Sequence, residues 1–128
     1  MKKNTVRPTD AELTILQVLW DRGPSTVREV YKIISSDKNV GYTTVLKLMQ
    51  IMTDKGLVER DDTVRPQIYR ARDSEDRMQR QLLTDLIERV YGGSVKALVL
   101  HAIGSRKPSA EDLKAIEKML DRFEGGKK

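Results

Sequence analysis

Apolar side chains recur at three- and four-residue steps along most of this chain, the spacing of helices that bury one face. Leu13, Ile15, Leu16, Val18, Leu19 and Trp20 predict a strongly apolar first helix. Thr9-Asp10-Ala11-Glu12 opens it with capping-box spacing, a threonine followed three residues later by a glutamate, and Gly23-Pro24 ends it. Thr26-Val27-Arg28-Glu29 repeats the box and predicts a second helix through Ile34. Val27, Val30, Tyr31 and Ile34 share one of its faces. A short polar link follows, from Ser35 to Val40.

The stretch from Gly41 to Val58 is the most informative. Wound at about 100° per residue, it gathers Val45, Leu48, Met49 and Met52 into one narrow arc. Thr43, Lys47, Gln50 and Asp54 lie opposite, with Thr44 and Ile51 on one border and Leu46 on the other. Two threonines at the start suit a helix N-terminus, where N–H groups are free and the dipole is positive. Gly56 stops this third helix. Leu57 to Asp61 and Gln67 to Arg72 then read as strands, joined by Asp62-Thr63-Val64-Arg65-Pro66. Three helices and a hairpin are the order of a winged helix-turn-helix.

Composition shifts after Arg72. Asp73 or Ser74 can cap a fourth helix from Glu75 to Tyr91, in which Met78, Leu82, Leu86 and Val90 run at four-residue steps. Gly92-Gly93 ends it, and Ser94 can cap a fifth helix through Ile103 that contains Leu98. A turn from Gly104 to Pro108 leads to a sixth helix capped by Ser109. There Leu113, Ile116, Leu120 and Phe123 alternate three- and four-residue steps, a seam for another helix. Three helices of this size bury little by themselves. Two copies sharing one core, or a fold back onto the N-terminal part, would cover these stripes; the shared core is the more economical. The expected organisation is mainly α with a small β hairpin: a winged-helix DNA-binding domain over 1–72 and a helical dimerisation domain over 73–128.

The bulk composition narrows the chemistry. The chain has 128 residues, 38% apolar and 34% charged, with a net charge of +5. A basic balance favours polyanionic partners, and most of the positive excess falls in 1–72. There is no cysteine, hence no thiolate metal site or disulfide. Met1-Lys2-Lys3-Asn4-Thr5 precedes no apolar run, and the longest mostly apolar run, Val95 to Ile103, is broken by Lys96 and His101. A cytoplasmic protein is expected. The single histidine, His101, sits in an apolar helix. No metal-ligand spacing or phosphate-cradling glycine loop is present, so no catalytic residues, metal or cofactor are expected.

DNA recognition needs phosphate contacts for affinity and base contacts for specificity. Thr43, Thr44, Lys47 and Gln50 can reach base edges or phosphates from a helix in the major groove; glutamine suits adenine and lysine guanine. Tyr42 can offer its hydroxyl to a phosphate or stack on the domain. Arg65 sits at the hairpin tip, and Arg28, Lys32, Arg7, Lys2 and Lys3 are candidate phosphate partners. The alternative is a winged helix that binds protein with the same face, using the border residues Leu46 and Ile51.

These pieces, taken in order, carry a resemblance. Pro8-Thr9-Asp10-Ala11-Glu12-Leu13, Ile15-Leu16, Leu19-Trp20, Gly23-Pro24 and Thr26-Val27-Arg28-Glu29-Val30 come first. Tyr42-Thr43-Thr44-Val45, Met49, Met52, Lys55-Gly56-Leu57-Val58, Tyr69, Gly92-Gly93-Ser94 and Ser109-Ala110-Glu111-Asp112-Leu113 follow. The set resembles the penicillinase-repressor family of bacterial transcriptional regulators, also called BlaI/MecI/CopY. The resemblance implies a homodimeric repressor on a palindromic double-stranded DNA operator, with intertwined C-terminal helices, often controlling antibiotic resistance or envelope-stress genes. It also implies, for some members, release by cleavage in the dimerisation region, driven by a membrane-embedded metalloprotease sensor pathway. The best-known members are cut at an Asn-Phe bond. Here Leu98-Val99-Leu100 matches the preceding residues and His101-Ala102 stands in place of Asn-Phe, making these two the candidate cleavage region. Copper-responsive members use a C-terminal cysteine site, which this chain lacks.

Overall fold

In the computed structural model residues 7–125 are described; Lys2, Lys3 and the tail 126–128 lie outside the described residues. The elements run α1 (Asp10–Arg22), α2 (Val27–Ser35), α3 (Tyr42–Lys55), β1 (Val58–Asp61), β2 (Ile68–Ala71), α4 (Glu75–Val90), α5 (Val95–Ser105) and α6 (Ala110–Gly125). Two compact units divide the chain, one ending at Leu83 and the other beginning at Thr84, so the division falls inside α4.

Both capping boxes form. Thr9 accepts from the Glu12 amide while the Glu12 carboxylate accepts from the Thr9 amide, and Thr26 and Glu29 do the same at α2. Each box satisfies two N–H groups that a helix start otherwise leaves without partners. Gly56 ends α3 in the left-handed region at φ 83°. The Leu57 amide then reaches back to the Met52 carbonyl at 2.9 Å, a Schellman closure. Leu57 is thereby used to finish the helix, and β1 starts at Val58, one residue later than the sequence suggests.

β1 and β2 pair antiparallel, Val58 opposite Ala71 and Asp61 opposite Ile68. Ser25, buried between α1 and α2, adds an isolated antiparallel bridge to β2. It exchanges backbone hydrogen bonds with Tyr69 at 2.8 and 2.9 Å. The hairpin is thus tied to the turn before α2. Ile15, Leu16, Val30, Val45, Met49, Met52, Val58 and Tyr69 fill the centre of the unit, each at 2% exposure or less. Three helices closed by a hairpin make this unit a winged helix-turn-helix.

The unit continues past residue 72. The Trp20 indole N–H donates to the Asp73 carbonyl at 2.9 Å, and Met78 of α4 is 3% exposed within the same core, with Leu82 packed beside it. Met78 was expected to lie in a helical seam with a second copy. The winged-helix core takes it instead, because the first turns of α4 lie against that core.

In the second unit, α4 ends at Val90, one residue before Tyr91. Gly92 and Gly93 both adopt positive φ there, and the Gly93 amide closes onto the Ile87 carbonyl at 2.8 Å. The α5 helix runs two residues beyond Ile103, to Ser105, whose hydroxyl donates to the His101 carbonyl at 2.8 Å. Ser94 and Ser109 cap α5 and α6 as the sequence predicts. Neither α5 nor α6 buries a single residue in the lone chain.

Candidate nucleic-acid interface

The third helix divides as its periodicity requires. Val45, Met49 and Met52 point into the core at 1% exposure or less, while Thr43, Thr44, Lys47 and Gln50 are exposed. No hydrogen bond or ion pair within the described residues engages Lys47 or Gln50. Their polar ends are free to meet a ligand. Asp54 is exposed on the same side near the helix end. Ile51, on the border, is 37% exposed.

Lys55 has a different task. Its ammonium lies 2.9 and 3.0 Å from the two carboxylate oxygens of Glu12, which is 2% exposed. Burial alone would raise the Glu12 pKa. The Lys55 contact and the Thr9 hydrogen bonds outweigh it and hold the carboxyl below its ordinary range. Lys55 therefore fixes the end of α3 against the start of α1.

Tyr42, the first residue of α3, is clasped by α2. The Arg28 guanidinium sits 4.9 Å from its ring centroid, and the Tyr31 ring meets it edge-on at 5.7 Å and 82°. Stacking on the domain, one of the two roles open to Tyr42 from sequence, is realised. Arg28, expected at a phosphate, is held on this ring. For Tyr31 the sequence offers one signal, its place three residues after Arg28 on the same side of α2.

A groove opens between the start of α2, the start of α3 and the hairpin tip. Its lining includes Arg28, Lys32, Tyr42, Arg65 and Gln67, with Val27, Leu46 and Pro66 as apolar surface. Two of the predicted phosphate partners, Arg28 and Lys32 of α2, thus converge on one concavity with Arg65 of the hairpin tip. Gln67 joins them unforeseen. Glu29 also lines the groove, yet its charge is engaged: it accepts from the Thr26 amide and pairs with Arg22 at 3.2 Å. The Thr26 backbone hydrogen bond, aided by Arg22, keeps its carboxyl below the ordinary value despite partial desolvation. Arg7 lies just before α1 and is exposed, outside this groove.

The hairpin carries as many acids as bases, and the acids are occupied. Glu59 pairs with Arg70 at 2.8 Å and Asp62 with Arg60 at 2.6 Å. Asp61 accepts from both the hydroxyl and the amide of Thr63, and these bonds hold its carboxyl down. Gln67 donates to Asp62 at 2.9 Å, bracing the turn. Arg65 has no carboxylate partner among the described residues, so it is the hairpin's uncommitted cation.

In the second unit, His101 is exposed on α5, and its Nδ1 lies 3.2 Å from the Tyr91 hydroxyl. Ala102 is exposed beside it. Leu86, Val90, Leu113, Ile116, Leu120 and Phe123 are between 37% and 65% exposed, and Leu98 is half-buried. Among the described residues no three His, Asp or Glu side chains approach closely enough to hold a metal ion. No helix among them is long and apolar enough to cross a membrane.

Comparison with known proteins gives a consistent result. Residues 8–122 match the penicillinase repressor family. A transcriptional regulator BlaI of Mycobacterium tuberculosis is 28% identical, over 91% of this chain and 85% of its own length. Penicillinase repressors of Bacillus licheniformis and Staphylococcus aureus are 22% and 20% identical, each over 94% of this chain and at least 94% of their own length.

Proposed function

The chain belongs to the penicillinase repressor family, and from that premise we propose that it is a DNA-binding transcriptional repressor working as a homodimer on a palindromic operator. The observation that carries this reading is the exposed face of α3. Thr43, Thr44, Lys47 and Gln50 project from a helix whose other face is locked in the core, and the polar ends of Lys47 and Gln50 are unspent. A helix so presented can enter the major groove, with Gln50 suited to adenine and Lys47 to guanine.

The groove supplies the second term. Arg28, Lys32 and Arg65 surround it on the side where α3 begins, so a backbone strand flanking the major groove would run past all three. Such contacts make affinity fall steeply with salt. The protein acts by binding, in the compartment that holds the chromosome, and turns over no substrate.

Dimerisation is supported by α5 and α6. Val95, Leu100, Leu120 and Phe123 are each more than half exposed in the lone chain, along helices that bury nothing. A second copy would cover them and place two α3 helices on two half-sites, one or two helical turns apart. Release by proteolysis would act on α5, where His101 and Ala102 replace the residues cut in cleaved relatives.

The deciding experiment is selection of binding sites from random duplex DNA by the purified full chain. A two-fold symmetric motif bound with strong salt dependence is the expected result. Absence of any enriched motif, together with no shift of duplex DNA at low salt, would overturn the reading in favour of a protein-binding winged helix.

A further inference from the structure

Among the described residues, five of the six helices begin with a serine or threonine oxygen on an amide of the first turn: Thr9, Thr26, Ser74, Ser94 and Ser109. The exception is α3. Its N-cap is Gly41, which has no side chain to cap with, and no residue nearby substitutes for one. Yet the start of α3 carries Thr43 and Thr44, whose position on DNA must be held to within a fraction of an ångström if they are to read sequence. Something other than a cap has to fix it.

Val45 ties one side of that first turn into the core, and on the groove side Tyr42 is the side chain gripped by a neighbouring helix. It is gripped by two residues from α2, three apart and therefore on one face. Arg28 covers the ring at 4.9 Å, and Tyr31 abuts it at 5.7 Å with the planes nearly perpendicular. Cation–π and edge-to-face contacts both depend on orientation, so they fix the angle of the Tyr42 ring as well as its distance. Tyr31 is half-buried and packs against the domain core, whereas Arg28 faces the groove. Tyr31 is the half of this grip that is packed on the core.

We infer that Tyr31 is a positioning residue for sequence readout: its ring, through Tyr42, sets the pose of the uncapped start of α3 and so the fidelity with which Thr43 and Thr44 meet DNA. This rests on the DNA-binding reading above. Tyr31 itself does not line the groove. Its loss therefore acts on the ratio of specific to non-specific binding, leaving the number of phosphate contacts unchanged.

The test uses the full-length chain, a duplex recovered by selection with the wild type, and a scrambled duplex of equal length. Tyr31→Leu is expected to lower the specific-to-scrambled affinity ratio about five- to tenfold. The scrambled affinity and the salt slope stay at wild-type values. Tyr31→Phe, which keeps the ring, restores the ratio. Repeating the selection with Tyr31→Leu is expected to flatten base preference at the positions facing the first turn of α3 more than at those facing Gln50. A ratio within twofold of wild type, equal losses on both duplexes, or failure of Tyr31→Phe to rescue would each overturn the inference. If Tyr31→Leu does not fold, Tyr31→Met carries the same measurements. A further readout needs no variant: the free wild-type protein should show nuclear Overhauser contacts between the Tyr31 and Tyr42 rings, and their absence overturns the inference. Should the wild type select no motif at all, it is the DNA-binding reading that has failed.

Discussion

Glu12 and Lys55 are 43 residues apart in sequence, and the ammonium of one lies within 3.0 Å of both carboxylate oxygens of the other. Glu12 also completes the capping box of α1 with Thr9. One buried carboxylate therefore orders the start of α1 and anchors the end of α3. The Lys55 side chain is a third exposed, so solvent weakens the attraction, but Glu12 itself has almost no access to water. Removing either partner leaves the other poorly compensated.

Glu12→Gln should destabilise the winged-helix unit by about 2 kcal/mol at neutral pH, a middling value for a half-buried pair. Urea denaturation measures it. The pH dependence has a definite sign. The folded-state pKa of Glu12 lies below its ordinary 4.5, so its contribution is fully present above that value and is lost as pH falls through the lowered folded one. The stability gap between wild type and Glu12→Gln should therefore be constant above about pH 5 and close in strong acid. A gap that widens on acidification would contradict the assignment.

Lys47→Ala and Gln50→Ala should each weaken operator binding by about 1–3 kcal/mol, with little change on scrambled DNA. Neither side chain is bonded within the described residues, so thermal stability should hold. Gel-shift titrations at fixed salt on both duplexes check this, and unchanged specific affinity in both variants would remove α3 from the readout.

Arg65→Ala should behave differently. Its guanidinium has no carboxylate partner among the described residues and stands at the hairpin tip, so the loss should be similar on operator and scrambled DNA. The slope of log affinity against log salt should flatten by about one unit. An unchanged slope would mean that the tip stays clear of the phosphates.

Leu120→Asp is expected to split the dimer, since Leu120 is 55% exposed on a helix that buries nothing in the lone chain. Losing the second half-site should cost a hundredfold or more of apparent affinity, on the order expected when linked binding becomes single. Sedimentation of wild type and variant at micromolar concentration decides it, and a monomeric wild type would sink the prediction.

Local signals carried most of the fold. Thr9 and Glu12, Thr26 and Glu29, Gly56, Ser94 and Ser109 all act within a few residues of themselves, and each behaves as its spacing foretells. What stayed hidden depends on contacts between residues far apart in the chain. Glu12 reads as a cap, and nothing nearby announces Lys55 as its second partner. Tyr69 reads as a strand residue, while its pairing with Ser25 requires the hairpin to fold back on the α1–α2 turn. Met78 begins an even four-residue stripe with Leu82, Leu86 and Val90, and periodicity cannot tell which members face the winged helix. At the candidate site, the polar face of α3 was plain from the 3.6-residue repeat. The grip on Tyr42 was not, because it joins two helices across a link whose path the sequence leaves open.

The missing cap on α3 has a consequence for how such a protein can diverge. At the other helix starts, the first-turn sequence is tied to stability through a serine or threonine oxygen. At α3 that tie is absent, and the exposed side chains Thr43, Thr44, Lys47 and Gln50 take no part in the core. Mutations at Thr43, Thr44, Lys47 and Gln50 can therefore accumulate with little selective penalty from folding. If α3 reads an operator as proposed, recognition can drift toward a new one while the scaffold is inherited unchanged.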